Sequence, residues 1–288
     1  MYHPKMVITE NGDSLFYYLG TNSIDSLNRK LLVLVQGSSR GSVRSMFGYG
    51  AEASLFGYDL LLMEKFAFND SAEFIATDCR QRRMKDISYI VNHVIETHYG
   101  GSIEGMILYG ASEGGTIAPE LALKLPNVTH LIVTGSGGYC QAREFEYLLQ
   151  HEREVPYEGF LTRSGIKNKG DLAAEFESIK KEPNSMKLWL GHSYMRWSSY
   201  LWYEPEEYIA QLQIPALFYG GALDRNAAIE SIAYLEKRFA DKPGIRAVVV
   251  PDADHGLRDS KGKDIHGKFI RETLIPWLRE TGAVDAQR

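Results

Sequence analysis

Residues 103–115 read Ile-Glu-Gly-Met-Ile-Leu-Tyr-Gly-Ala-Ser-Glu-Gly-Gly, and the reading of this stretch decides the fold. The apolar run Met106-Ile107-Leu108-Tyr109 has the character of a buried strand. Helical spacing begins after Gly115, with Ile117, Ala118, Leu121, Ala122 and Leu125 on one face. Between the two lies Gly110-Ala111-Ser112-Glu113-Gly114, a G-x-S-x-G arrangement. A serine raised on a sharp strand-to-helix turn needs residues without side chains two places before and after it, so that the two arms can pass closely. A helix starting at Ser112 directs its unpaired N–H groups and positive dipole end at that serine. The spacing alone is a weak signal, and its position between strand and helix makes it a strong one. A glycine-rich turn with a serine cap would look the same, so the partners of Ser112 must decide.

A serine is a poor nucleophile at neutral pH unless a base takes its proton and an acid orients that base. Both belong at the same sheet edge, in loops that follow strands. The apolar run Ala216–Tyr219 leads into Gly220-Gly221-Ala222-Leu223-Asp224, and Arg246–Val250 leads into Pro251-Asp252-Ala253-Asp254-His255-Gly256. Asp224 and His255 therefore fall in consecutive post-strand loops, in the chain order Ser, Asp, His. Of the eight histidines, His255 alone follows the final strand directly. Asp252 and Asp254 are rival acids, too near His255 in sequence to face its far ring nitrogen.

Earlier in the chain, Lys5–Thr9 and Ser14–Leu19 flank Asn11-Gly12 and form an antiparallel hairpin at a sheet edge. Leu31–Val35 is apolar throughout, as a strand covered on both faces must be, and ends in the polar loop Gln36-Gly37-Ser38-Ser39-Arg40-Gly41-Ser42. Asp59–Met63 is the next strand and runs into Glu64-Lys65, which reads as an ion pair. Met84, Ile87, Val91, Val94 and Ile95 predict one helix over about 77–98, whose basic start, Arg80 to Lys85, reads as a solvated face. Strand Leu131–Thr134, a helix over 226–239 and a closing helix over about 265–279 complete the alternation. The pattern predicts an α/β fold with a mostly parallel, doubly wound sheet.

Residues 139–213 interrupt that pattern with charged, helix-favouring sequence and a cluster of aromatic residues between Trp189 and Tyr203. They read as a helical cap inserted into a core of residues 1–138 and 214–288. Trp197 and Trp202 are candidate lining for a substrate pocket; the same rings also suit gluing the insertion to the core.

The net charge of −5 argues against a nucleic-acid binder, and no run reaches membrane-spanning length. Residues 1–9 lack a signal-peptide core, and two cysteines, Cys79 and Cys140, read as free thiols in a reducing cytosol. No C-x-x-C or H-E-x-x-H pattern is present, so no metal site is expected.

Gly-Ala-Ser-Glu-Gly-Gly, the Gly-Gly-x-x-Asp after the penultimate strand and Asp-His-Gly after the last make the chain similar to the α/β-hydrolase superfamily over about 30–135 and 214–280. The resemblance implies Ser112 as nucleophile, Asp224 as orienting acid and His255 as general base. It implies an oxyanion hole from the backbone N–H groups of Glu113 and Ser38, with Ser39 the alternative because Gln36 stands where many relatives have His. Gln36 and Ser39 are further candidate substrate contacts. The expected reaction is cleavage of a small acyl compound, a carboxylic ester first, through an acyl-serine and with no cofactor. An amide or short peptide, whose terminus Glu204–Glu207 would capture, or a thioester fits the same machinery, and a non-hydrolytic lyase or binding module is the other class.

Overall fold

The computed structural model describes residues 3–21, 29–154 and 159–284. Five strands of near-continuous apolar sequence have nowhere to sit but the middle of a sheet, and they do so: Lys30–Val35 (β3), Asp59–Met63 (β4), Gly105–Ala111 (β5), Val128–Thr134 (β6) and Ala216–Gly221 (β9). The hairpin Pro4–Ile8 (β1) and Ser14–Gly20 (β2) closes one edge and Ile245–Val250 (β10) the other, in the order β1-β2-β4-β3-β5-β6-β9-β10. β1 and β2 pair antiparallel, as does β2 with β4, and every other neighbour in this sheet is parallel.

Side chains alternate between two cores at the two-residue period of a strand. Leu31, Val33, Met106 and Leu108 face one layer with helices Arg80–Tyr99 (α3) and Glu113–Lys124 (α4). Leu32, Leu34, Ile107 and Tyr109 face the other, with Tyr49–Phe56 (α1) and the C-terminal helix. No helix among the described residues is long and apolar enough to cross a membrane.

The helices differ in detail from those expected. The helix expected over about 77–98 is α3, which starts at Arg80; a separate helix precedes it, Ser71–Thr77 (α2), capped by Asp70 at 3.0 and 3.1 Å and stopped at an extended Asp78. The closing helix runs without a gap from His266 to Glu280 but widens into a π turn over Ile270–Leu274, next to Pro276, which has no N–H to return to the preceding turn. α1 had not been expected at all.

Between β6 and β9 run the helices Gln141–Glu154 (α5), Phe160–Arg163 (α6), Lys169–Lys181 (α7), Tyr194–Tyr200 (α8) and Pro205–Ile209 (α9), with a short antiparallel pair Leu188–Trp189 (β7) and His192–Ser193 (β8). Their apolar side chains form a core of their own, in which Phe145, Trp189 and Trp197 meet edge-to-face at 5.1–5.5 Å. Tyr200, Ile209 and Leu212 leave it and join the sheet's core.

Candidate active site

The turn that carries Ser112 is bounded by sterics on both sides. A side chain at Gly110 would lie 2.7 Å from the Cα of Gly115 and 2.8 Å from the Cβ of Ala118, and one at Gly114 would run into the carbonyls of Val35 and Gln36. Strand and helix pass at backbone distance because both residues are glycine. Ser112 itself is held at φ 53°, ψ −123°, a conformation that costs a residue with a side chain roughly 1–3 kcal/mol and that the surrounding fold must impose. It sits immediately before α4.

Asp224 is fixed in its loop by two backbone N–H groups, those of Asn226 at 2.8 Å and Ala227 at 3.0 Å, both donating to Oδ1. Its other oxygen faces Nδ1 of His255 at 2.6 Å. The rival acids are engaged elsewhere. Asp254 Oδ1 accepts from the N–H groups of Gly256 and Arg258, and Asp252 accepts from Ser260. Burial pulls the pKa of His255 down, but the hydrogen bond and charge of Asp224, with Asp254 and Glu144 adding, outweigh it and leave the ring above the ordinary histidine value.

Ser38, Ser112 and His255 line two chambers that meet at the serine. The first, about 370 Å³, lies against the segment between β6 and β9 and is walled by Phe145, Leu148, Arg196 and Trp197, with Glu144 and His192 among its polar groups. The second, about 310 Å³, is walled by Ser39, Met46, Tyr49, Tyr219, Leu257 and His266. Two of the expected substrate contacts lie elsewhere. Gln36 is buried beneath the loop, in a small gap with Glu64, Lys65 and Phe74, and its side chain reaches neither chamber. Trp202 is half-buried, packed edge-on to Phe176 and under the Lys180 ammonium, and lines neither chamber. Both were placed from chain position, which fixes proximity but not the direction of a side chain.

The largest feature that sequence reasoning missed is a buried ionic cluster behind Ser112. The Glu113 carboxylate, 2% exposed, pairs with Arg83 at 2.5 Å, with Lys65 at 3.4 Å and with Arg196. The expected Glu64–Lys65 pair does not form. Glu64 instead accepts from Val43 N–H at 2.8 Å, the Ser42 hydroxyl and the Tyr18 hydroxyl. Nor is the start of α3 a solvated face: Arg82 pairs with Asp13 and Asp86, Arg80 with Glu120, and Arg83 is buried. Arg83 lies four residues before Ile87 and seven before Ile90, on the helix's apolar stripe, and that register was the signal for its burial. The cluster also grips the loop after β3. Arg83 donates to the carbonyls of Gln36 and Gly37, and Lys65 to that of Ser38 at 2.9 Å. The two backbone segments proposed to carry the oxyanion hole are thus tied to one set of cations. No group of three or more metal-ligating side chains occurs among the described residues.

No protein-family model matches the sequence, and no curated protein does. Solved structures do match. Est1E from Butyrivibrio proteoclasticus aligns over 97% of this chain and 99% of its own, with a TM-score of 0.64 at 12% identity. This is the α/β-hydrolase fold. A thermostable carboxyl esterase from Bacillus coagulans aligns with a TM-score of 0.62 at 15% identity, over 97% of this chain and 98% of that one. An esterase of Pyrococcus furiosus gives 0.60 at 13%, over 98% and 91%. At such identities the likeness carries the α/β-hydrolase fold and not the chemistry, which rests on the residues above.

Proposed function

We propose that the chain is a serine hydrolase that cleaves a carboxylic ester through an acyl-serine intermediate. The observation that carries this reading is the 2.6 Å Asp224–His255 pair, whose imidazole lines both chambers together with a serine held at positive φ. His255 takes the Ser112 proton as the hydroxyl attacks the ester carbonyl, and Asp224 holds the imidazole in the required tautomer. The N–H groups of Glu113 and Ser38 stabilise the oxyanion. His255 then gives its proton to the departing alcohol, and water, deprotonated by the same ring, releases the acid. No cofactor enters this scheme. The segment 139–213 acts as a cap whose Phe145, Leu148 and Trp197 wall the chamber beside the serine. Nothing favours the peptidase alternative: none of Glu204, Glu206 and Glu207 lines either chamber, and Glu206 is engaged by Arg238 at 2.6 Å and Tyr234 at 2.8 Å. The related esterase structures support an ester over a thioester only by analogy of fold.

The test is labelling with a fluorophosphonate, followed by a panel of acyl esters, acyl thioesters and aminoacyl anilides. Labelling at Ser112 with turnover of esters supports the reading. Failure of an intact, folded protein to label ends it.

A further inference from the structure

Arg196 is the least expected side chain in the first chamber. It is 1% exposed, yet only one of its three guanidinium nitrogens, Nη2, is paired, with Glu113. Nε and Nη1 have no hydrogen-bond partner among the described residues. The planar group is clamped between Trp197, 3.9 Å from the ring centre, and Tyr200, at 4.8 Å, so it is held in place without being satisfied. A buried guanidinium short of acceptors is costly unless something else supplies them.

The surroundings leave that role open for an anion. Lys65 and Arg83 share Oε1 of the Glu113 carboxylate and Arg196 takes Oε2, so one carboxylate serves three basic side chains. Burial first, and then the charge of Arg83, push the Lys65 ammonium well below its usual range. The other titratable groups that line the chamber give Arg196 no further acceptor. Burial raises the Glu144 carboxyl to about 8, so it is largely neutral at pH 7, and burial lowers His192. His255 is engaged with Asp224. Arg196, lowered by burial to about 10, keeps its charge.

We infer that the preferred substrate, on the hydrolase reading above, is an ester that carries a carboxylate in the part filling the first chamber, with Arg196 as its acceptor-seeking anchor. A carboxylate supplies acceptors for Nε and Nη1, and the apolar walls Phe145, Leu148 and Trp197 accept the short aliphatic spacer.

Matched pairs test it. Mono-p-nitrophenyl glutarate against p-nitrophenyl pentanoate puts the charge on the acyl side; 4-acetoxybutanoate against its methyl ester puts it on the alcohol side. In the intact wild-type protein the charged member of one pair should have the higher kcat/KM by roughly 10- to 100-fold, the worth of a buried charge-assisted hydrogen bond. Arg196→Gln should bring that ratio close to one, and Arg196→Lys should keep part of it. Equal kcat/KM within both pairs in the wild type overturns the inference, and so does an unchanged ratio in an Arg196→Gln protein with its melting temperature retained. Turnover of p-nitrophenyl acetate and fluorophosphonate labelling judge the hydrolase reading separately. Should no ester be turned over, tryptophan fluorescence on titration with glutarate and with dimethyl glutarate still decides. Glutarate must bind at least tenfold more tightly, with the advantage lost in Arg196→Gln, and equal binding of the two refutes the anionic subsite.

Discussion

Two carboxylates flank Ser112, and they are buried alike: the side chains of Asp224 and Glu113 are each 2% exposed. Asp224 faces one titratable partner, His255, and is otherwise held by backbone N–H groups. Glu113 faces three cations and, through them, the loop at Gln36–Ser38. Burial raises the stakes of a charge, and the partners decide what the charge does. Opposite an imidazole it tunes a proton acceptor. Amid guanidinium and ammonium groups it becomes a strut, because two of its partners, the guanidinium groups, stay charged throughout the physiological range.

The comparison breaks outright if Ser112 is not what both carboxylates serve. Ser112→Ala should abolish turnover, with loss of at least about 10³-fold in kcat, while the melting temperature stays close to that of the wild type. Substantial retained activity in a purified variant would remove the serine, and with it the common purpose of the two sites.

Asp224→Asn should cost about 10³- to 10⁴-fold in kcat with the fold intact, since the imidazole loses the acceptor that sets its tautomer. The pH profile sharpens the point. As the proposed general base, His255 works as the neutral ring, so kcat/KM should fall as pH drops through its pKa. Because that pKa is raised, the acid limb of the wild type should be centred above the ordinary histidine value of 6.5. In Asp224→Asn the limb should move down. The same raised pKa means that charged His255 adds stability below its unfolded pKa, and that this contribution is lost as pH rises through the folded one. A rate that is flat from pH 5 to 8 would argue for another base.

Glu113→Gln keeps the backbone N–H and nearly the same shape but leaves three buried cations without their shared carboxylate. It should destabilise by about 3–5 kcal/mol, the usual cost of orphaning a buried ion pair, read as a fall in denaturation midpoint. Asp224→Asn should show a much smaller fall. Equal losses of stability in the two variants would erase the distinction between tuner and strut.

The two carboxylates were not equally legible in the sequence. The pairing of Asp224 with His255 was readable because it depends on chain position: a post-strand loop, before the last strand, in the order Ser, Asp, His. The sheet was legible for a similar reason, since fully buried parallel strands must be written as apolar runs such as Leu31–Val35 and Asp59–Met63. Glu113 was read only as a backbone donor. Its side-chain partners come from a strand end (Lys65), a helix start (Arg83) and a segment more than eighty residues downstream (Arg196), and no local period links the three. Arg83 and Lys85 stand two residues apart and look alike by composition, yet one is buried and the other exposed. Only the register of α3 against the sheet separates them. Gln36 and Trp202 failed from the opposite cause: the position was near the site, and the rotation of the side chain took it away.

The smallest expected effect lies on the far wall of the first chamber, where the Glu113 cluster reaches the aromatic residues through Arg196 stacked on Trp197. Trp197 lines that chamber, while its indole N–H donates to the carbonyl of Trp189 at 2.6 Å. Trp202 packs on Phe176 and Lys180 away from it. Trp197→Phe keeps a ring beneath the guanidinium but enlarges the chamber, so it should shift the ratio of kcat/KM between butanoate and acetate p-nitrophenyl esters by up to about 10-fold, the scale on which a pocket senses a methylene or two. Trp202→Ala should leave that ratio unchanged and lower stability by about 1 kcal/mol, in line with an ordinary partly exposed site. The ratio of two esters is the right readout because a loosened segment 139–213 would slow both alike. If Trp202→Ala moves the ratio as far as Trp197→Phe does, the aromatic cluster acts as one mechanical unit, and chamber lining does not govern selectivity. If only Trp197→Phe moves it, the wall that carries Arg196 also measures the chain beside it.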